Sequence, residues 1–197
     1  MSLSSNNIDD LLRNNQSDHN LIIEAMVEQY RSSLYHLALS ILNDPSEAED
    51  ATQDAFINAA LHLDRYSPGT NIKAWLYSIT VNICRGYLRK QLTRKHLATL
   101  LITLHLVTAT PAVDPEQSVL QNEHVIQLWA AVSRLSVKHQ LVVVLRIVHE
   151  LPISEIAYIL GTNEKTVYTR LYAAFRKIRT QLRSSTDSER VAKELLQ

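Results

Sequence analysis

Glycine and proline are scarce in this chain of 197 residues, which contains 3 Gly and 5 Pro. Sandwiches, barrels and glycine-rich phosphate loops depend on these two residues for their turns, so the composition disfavours all three. The single cysteine, Cys84, excludes an internal disulfide framework and is typical of a reducing compartment. No apolar run approaches the roughly 18 residues of a membrane span, and the first residues lack the features of a signal peptide. We therefore expect a cytoplasmic, all-α protein.

The formal net charge of zero conceals three charged blocks. Residues 20–64 carry eight acidic side chains and one basic side chain, whereas residues 65–96 carry seven basic side chains and no acidic one. Residues 134–183 carry nine basic and three acidic side chains. Two basic blocks suggest two nucleic-acid contacts, and the acidic block suggests a separate surface for a basic partner. For any one block alone, a solvated helix face is the more ordinary explanation.

Three amphipathic helices are predicted in the N-terminal half. Apolar residues at three- and four-residue spacing predict the first helix over 21–42. Asp44 followed three residues later by Glu47 predicts a capping box, which begins a second helix over 45–64. A turn rich in Pro and Gly follows, and a third helix, basic and aromatic on its exposed side, is expected over 72–97.

A change in composition divides the chain into two helical domains. Residues 98–116 are first apolar and then interrupted by Pro111 and Pro115, which predicts a linker whose first, apolar part can remain helical. The predicted organisation is an N-terminal tail (1–19), a first helical domain (20–97), the linker (98–116), a second helical domain (117–183) and a C-terminal tail (184–197). The helices predicted in the second domain span 117–134, 136–149, 154–160 and 164–183.

Residues 153–171 have the spacing of a helix-turn-helix motif. Gly161 is expected to make the turn, while Val167 and Leu171 anchor the second helix from below. Polar side chains at the exposed start of that helix are suited to reach base edges in a DNA major groove. The side chains predicted to contact duplex DNA are Asn163, Lys165, Thr166, Tyr168, Thr169, Arg170 and Arg176.

The basic block of the third helix is interleaved with aromatic residues. Aromatic rings can stack on unpaired bases while basic side chains follow the phosphates, so this pattern is typical of a single-strand contact. Trp75 has an equally good explanation as a core residue, since a large aromatic ring at this spacing is often half-buried.

Three segments, in order, resemble the sigma subunit of bacterial RNA polymerase of the extracytoplasmic-function (ECF) type. Residues 44–56 resemble the helix that docks on the polymerase clamp. Residues 66–82, with Trp75 and Asn82, resemble the loop and helix that open the minus-ten element and capture a flipped base. Residues 135–182 resemble the domain that reads the minus-35 element. The resemblance covers most of the chain and is more specific than the helix-turn-helix alone.

This resemblance implies a role for each segment. The first domain corresponds to sigma region 2 and the second to region 4, with core RNA polymerase, promoter DNA and an anti-sigma factor as partners. The residues implied for polymerase binding are Glu49, Asp50, Gln53 and Asp54. Those implied for the minus-ten element are Tyr66, Thr70, Asn71, Lys73, Trp75, Tyr77, Asn82, Arg85 and Arg89. The predicted helix-turn-helix contacts become minus-35 contacts, and Asp54→Arg is expected to abolish polymerase binding.

Two departures from the family pattern stand out. Gly86 occupies a helical position where the family commonly has an acidic residue, and the start of the linker is apolar where a polar one is usual. No motif for catalysis, metal binding or a cofactor is present: the eight His residues show no ligand spacing, and Cys84 is expected to be a small buried side chain.

Two other functions compete with a sigma factor. A helix-turn-helix regulator could bind duplex DNA unaided, with the N-terminal helices as a sensor or dimerisation module. A helical interaction module or an enzyme could use its basic helices only to bind a polyanion. Promoter-specific transcription that depends on the added protein would separate the sigma factor from both.

Overall fold

Every regular element in the part of the chain that the structure describes is a helix. The computed structural model describes Ile8 and residues 19–67, 70–103 and 123–183. The helices are α1 (His19–Leu42), α2 (Pro45–Leu61), a 3-10 turn (Leu63–Arg65), α3 (Ile72–Thr103), α4 (Glu123–Ser133), α5 (Val137–Val143), a π segment (Val144–Val148), α6 (Ile153–Leu160) and α7 (Glu164–Arg183). The predicted all-α fold is confirmed. No helix within these ranges is long and apolar enough to cross a membrane.

Helices α1, α2 and α3 form an N-terminal bundle. The inner face of α1 is apolar, and Leu34 and Leu37 are fully buried there. The inner face of α2 is built from small residues, Ala48, Ala51 and Ala55 among them, which allow its backbone to approach the other two helices closely. Burying this apolar surface provides most of the stability of helices of this length, since isolated helices are marginal in water.

The start of α2 confirms the cap by Asp44 but shows only this half of the predicted capping box, because the Glu47 side chain bonds to α3 instead, and the end of α2 differs from the prediction. The Asp44 carboxylate accepts a hydrogen bond from the Glu47 backbone N–H at 2.8 Å, and the Glu47 carboxylate accepts one from Gln91 on α3. The helix ends at Leu61 rather than at residue 64, because His62 leaves the helical conformation (φ −125°, ψ 23°) and a 3-10 turn follows.

Helix α3 is longer than predicted. It continues to Thr103, whereas the sequence pattern suggested an end near residue 97, so the start of the predicted linker is helical. The rest of that linker, the residues 117–122 of the next predicted helix and both predicted tails, except for Ile8 and His19, lie outside the described residues.

Helices α4 to α7 form the C-terminal domain. The single helix predicted over 136–149 is an α-helix only to Val143 and then widens into the π segment. Ser136 occupies the predicted N-cap position, but its hydroxyl bonds to Nδ1 of His139 at 2.8 Å and makes no capping bond to the backbone. Gly161 adopts the predicted left-handed conformation (φ 60°), and Asn163 caps α7 by accepting from the Thr166 N–H at 2.8 Å.

The two domains pack against each other. Helix α3 contacts α6, and α1 contacts the π segment. The buried side chain of Gln140 donates from Nε2 to the carbonyl oxygen of Ile41, at the end of α1, over 3.0 Å. The Asn71 amide donates to the Glu155 carboxylate at 3.2 Å. These contacts place the first turns of α3 against the helix-turn-helix motif.

Candidate nucleic-acid interface

The outer face of α2 is acidic and accessible. Ala48, Ala51 and Ala55 point inward, and the side chains two positions after each of the first two point outward. Asp50 and Gln53 are exposed. The four side chains predicted to bind polymerase, Glu49, Asp50, Gln53 and Asp54, therefore lie on one side of this helix, opposite its buried alanines.

Two members of this acidic face have partners within the bundle. The Glu49 carboxylate accepts from the Arg31 guanidinium at 2.7 Å, and this hydrogen bond holds the pKa of Glu49 below its usual range. Asp54 accepts from the Tyr87 hydroxyl at 3.1 Å. Burial, followed by the bond to Asp54, raises the pKa of Tyr87 to about 12, so this hydroxyl remains a donor at neutral pH. These two hydrogen bonds connect the acidic face of α2 to α1 and α3. This face, formed by Glu49, Asp50, Gln53 and Asp54, is called the acidic ridge below.

The loop before α3 is organised by Tyr66. Its ring is 6% exposed and packs against Trp75 with ring centroids 5.3 Å apart, while its hydroxyl donates to the Thr70 carbonyl at 2.6 Å. Asn71 caps α3 by accepting from the Ala74 N–H at 3.1 Å. Trp75 is 9% exposed, which matches its alternative explanation as a core residue. Among these predicted minus-ten residues, Thr70 and Asn71 are exposed.

The predicted minus-ten residues further along α3 face the C-terminal domain or solvent. Tyr77 is 2% exposed and its ring meets the edge of His149 from the C-terminal domain, with centroids 5.6 Å apart. The Lys73 ammonium lies 5.4 Å from the centre of the Tyr77 ring. The Arg85 guanidinium donates to the Asn82 side chain at 2.9 Å.

Arg85 is half-buried opposite a second cation. Partial burial, then the positive charges of Arg170 on α7 and of Arg89, lower the pKa of Arg85. Arg89 itself is exposed. Like charges from the two predicted DNA-binding surfaces thus lie close enough to repel each other across the domain contact.

The predicted minus-35 residues lie together on an open face of the C-terminal domain. Asn163, Lys165, Tyr168 and Thr169 are exposed, and Tyr168 is 58% exposed. Five of the seven predicted residues, together with Ala173 and the start of α5, line a shallow hollow of about 440 Å³: Lys138, His139, Asn163, Lys165, Thr166, Thr169, Arg170 and Ala173. The other two, Tyr168 and Arg176, are exposed on α7 outside this lining. A helix that contacts DNA bases needs polar and positively charged side chains that face solvent on the same side, and the residues around this hollow are arranged in this way.

The structure adds three residues that the sequence did not single out. Lys138 and His139 come from α5, about 15 residues before the motif, and only folding brings them beside α7. Burial, then the positive charges of Lys177, Lys138 and Arg170, lower the pKa of His139, as expected inside an electropositive patch. Tyr172 is 74% exposed on α7. Its spacing of four residues from Tyr168 was the signal available in the sequence.

Cys84 is fully buried on α3, as predicted. Burial raises the pKa of its thiol to about 12, so it is neutral and unreactive at physiological pH.

Two protein-family models match the two domains separately. The model for Sigma-70 region 2 matches residues 26–94, and the model for Sigma-70 region 4 matches residues 126–178. The chain is 30% identical over 163 residues to the ECF RNA polymerase sigma factor SigW of Bacillus subtilis, which covers 80% of this chain and 87% of that protein. It is 28% identical over 169 residues to the RNA polymerase sigma factor CnrH of Cupriavidus metallidurans, covering 84% and 87%.

Solved structures share the fold. CnrH in complex with the cytosolic domain of CnrY has a TM-score of 0.61 at 21% identity and covers 91% of this chain and 96% of that chain. The sigma factor RpoE in complex with the anti-sigma factor NepR from Bartonella quintana has a TM-score of 0.56 at 22% identity, with coverage of 82% and 97%.

The paired region 2 and region 4 domains define the class as a sigma factor of the sigma-70 type. With SigW similar over most of both chains, this chain belongs to the ECF RNA polymerase sigma factors, which direct RNA polymerase to promoters. A stand-alone regulator is not favoured, because its N-terminal half would have no reason to match region 2.

Proposed function

We propose that the acidic face of α2 binds core RNA polymerase, while the start of α3 contacts the minus-ten element and α7 contacts the minus-35 element. The observation that carries the proposal is the division of charge among the three surfaces. Asp50 and Gln53 are exposed on the acidic face of α2, Lys73 is exposed at the start of α3, and Lys165 is exposed on α7. A basic partner suits the first surface, and nucleic acid suits the other two.

Opening of the promoter needs binding energy and no chemical step, so we propose that the chain is not an enzyme. Unstacking a base costs a few kcal/mol, which aromatic stacking and phosphate contacts can offset. Two DNA-binding domains in one chain also raise the effective concentration of the second contact once the first has formed.

Two classes of partner follow from the family and its relatives. The first is core RNA polymerase bound to promoter DNA, and we propose on this basis that the protein acts in the cytoplasm. The second is an inhibitory protein: the similar sigma factor RpoE is in complex with the anti-sigma factor NepR, and CnrH is in complex with the cytosolic domain of CnrY. We propose that this chain binds an anti-sigma factor as well.

A run-off transcription assay with purified core polymerase tests the proposal. Promoter-specific transcripts should depend on adding this protein. Asp50→Arg should reduce co-purification with core polymerase at least tenfold, because it places a cation in the centre of the acidic ridge. Asp50 is a cleaner choice than Asp54, since Asp54 also accepts a hydrogen bond from Tyr87.

Asp64→Arg is the matched control, because it makes the same charge reversal at an exposed position outside the ridge. It should leave polymerase binding unchanged. Equal losses in the two variants would indicate a general effect of charge, and retention of binding by Asp50→Arg would contradict the proposed docking surface.

A further inference from the structure

His149 lies at the domain contact and follows an irregular stretch of backbone. The π segment (Val144–Val148) comes directly before it, and Glu150 comes directly after it with a φ of 52°, a left-handed conformation that non-glycine residues seldom adopt. The Arg146 guanidinium donates to the Leu151 carbonyl at 3.0 Å and closes this loop. π segments and left-handed residues of this kind are frequent at functional sites.

The imidazole contacts two helices of the N-terminal bundle. Its Nε2 lies 3.2 Å from the Ser40 hydroxyl oxygen on α1, and its ring meets the Tyr77 ring of α3 edge to face at 5.6 Å. It also borders a cavity of about 890 Å³ between the domains. The polar side chains that line this cavity are Ser33, His36, Ser40, Asn43, Tyr77, Ser133, Gln140 and His149. This contact is therefore partly polar and open to solvent rather than a sealed apolar core.

The charges around His149 favour its neutral form. His36 faces it from α1 and Lys73 from α3, and both oppose a positive charge on the imidazole. Glu150 follows it in the chain, and Glu155 on α6 is hydrogen-bonded to the start of α3. The described residues of α4 and α5 that line the cavity carry no charged side chain. Burial, then Lys73 and His36, lower the pKa of His149 to about 4.

We infer that His149 is a proton-sensitive contact between the two domains: as a neutral ring it holds them together, and its protonation favours their separation. In the separated state the imidazole is hydrated and regains an ordinary affinity for protons. Protonation of His149 therefore favours the open state, in which the domains are separated. The neutral ring favours the closed state, in which the domains are in contact. The contribution of His149 to closure is present above about pH 6.5 and is lost as the pH falls from there towards about 4.

The consequence for DNA binding rests on the function proposed above. In the closed arrangement the buried Tyr77 contacts His149 and the exposed Asn71 is hydrogen-bonded to Glu155, so part of the proposed minus-ten surface is engaged by the C-terminal domain. Separation of the domains uncovers that surface. Acidification should therefore shift the free protein towards the form that can contact both promoter elements.

The test measures the distance between the domains in the full chain, without DNA or polymerase. Dyes attached through Asp64→Cys and Arg179→Cys, both at exposed positions, report separation by energy transfer, and the buried native Cys84 stays unlabelled. Between pH 7.5 and pH 5 the ratio of closed to open molecules should fall roughly ten- to thirtyfold. His149→Gln, which keeps a neutral side chain able to bond to Ser40, should remove most of this fall.

Two further variants complete the design. His149→Arg carries a permanent charge and should lower the ratio of closed to open molecules about tenfold already at pH 7.5, where acid unfolding plays no part. His19→Gln removes an exposed histidine at the start of α1 and should retain the full response to pH. An identical pH response in the native chain and in His149→Gln, or an unchanged ratio of closed to open molecules in His149→Arg at pH 7.5, would overturn the inference. Either result leaves the transcription assay unaffected, so the two proposals fail separately.

Discussion

The two basic surfaces of this protein resemble each other in charge and differ in accessibility. On the C-terminal domain, Lys165 and Thr169 are exposed beside an open hollow. On the N-terminal bundle, Tyr77 is buried in contact with His149 of the C-terminal domain, and Arg85 is half-buried near Arg170. A duplex can reach the first surface in the structure as it stands, whereas part of the second surface becomes available only when the domains separate.

This difference shows that a charge pattern indicates what a surface can bind but not when it can bind. The domain contact combines a few hydrogen bonds with like charges that face each other, which is typical of interfaces that open and close. The acidic ridge on α2 lies outside this contact, since Asp50 and Gln53 are exposed. We therefore expect polymerase docking to be possible before the domains separate.

The largest effect is expected from Gln140→Ala, which weakens the contact between the C-terminal domain and the N-terminal bundle. It removes the buried hydrogen bond to the Ile41 carbonyl and leaves that oxygen without this donor in the closed state. The closed state should lose about 2 kcal/mol relative to the open state, which lowers the ratio of closed to open molecules roughly thirtyfold. The energy-transfer pair described above measures this ratio. Gln53→Ala, which removes an exposed amide, should leave it unchanged. Since Gln140 does not titrate, a loss confined to acidic pH would contradict this account.

A smaller effect is expected from neutralising one cation on each basic surface. Lys165→Gln should weaken binding of the free protein to duplex DNA by roughly tenfold at low salt. It should also reduce by about one the slope of the logarithm of the binding constant against the logarithm of the salt concentration. Arg85→Gln makes the same charge change on the covered surface and should have little effect. Fluorescence anisotropy across a salt series measures both. Comparable losses in the two variants would mean that the surfaces are equally accessible.

The smallest effect is expected from Gly86→Ala on α3. A methyl group at this position would meet no atom within 4 Å, so the substitution should stabilise the helix interior by about 1 kcal/mol and raise the midpoint of thermal unfolding by about 3 °C. It should stabilise the open and closed forms equally and leave the energy transfer unchanged. Ala60→Gly, at an exposed position of α2, should lower the midpoint by a similar amount. A shift in domain separation caused by Gly86→Ala would reveal a contact of this position that the closed structure lacks.

Local signals in the sequence predicted most of the fold. Apolar spacing located α1 and α7, Asp44 and Gly161 marked a helix start and a helix end, and these positions depend on contacts within a few residues. The π segment was missed because its widening follows no local pattern of residue types. The extension of α3 to Thr103 agrees with the expectation that the first part of the linker can remain helical, although the change from amphipathic to uniformly apolar sequence placed the predicted helix end near residue 97.

The candidate site was predictable to the extent that it lies on single helices. The acidic ridge and the exposed start of α7 follow from helical periodicity and from charge, since side chains three or four positions apart share a face. Lys138 and His139 could not be assigned to the minus-35 face in this way, because they reach it from another helix. The contact between the rings of Tyr77 and His149 could not be predicted either, because it joins residues far apart in the chain.

The sequence by itself determined that this protein is helical, that it has two domains and that its charges are divided among an acidic surface and two basic ones. Periodicity, capping residues and charge are local properties, and they act over one or two turns of a helix. Only the tertiary structure decided which basic surface is open and which is covered. That outcome depends on how His149 and Gln140 fit against α1 and α3, and such a fit arises from packing between distant segments rather than from the order of residues in either one.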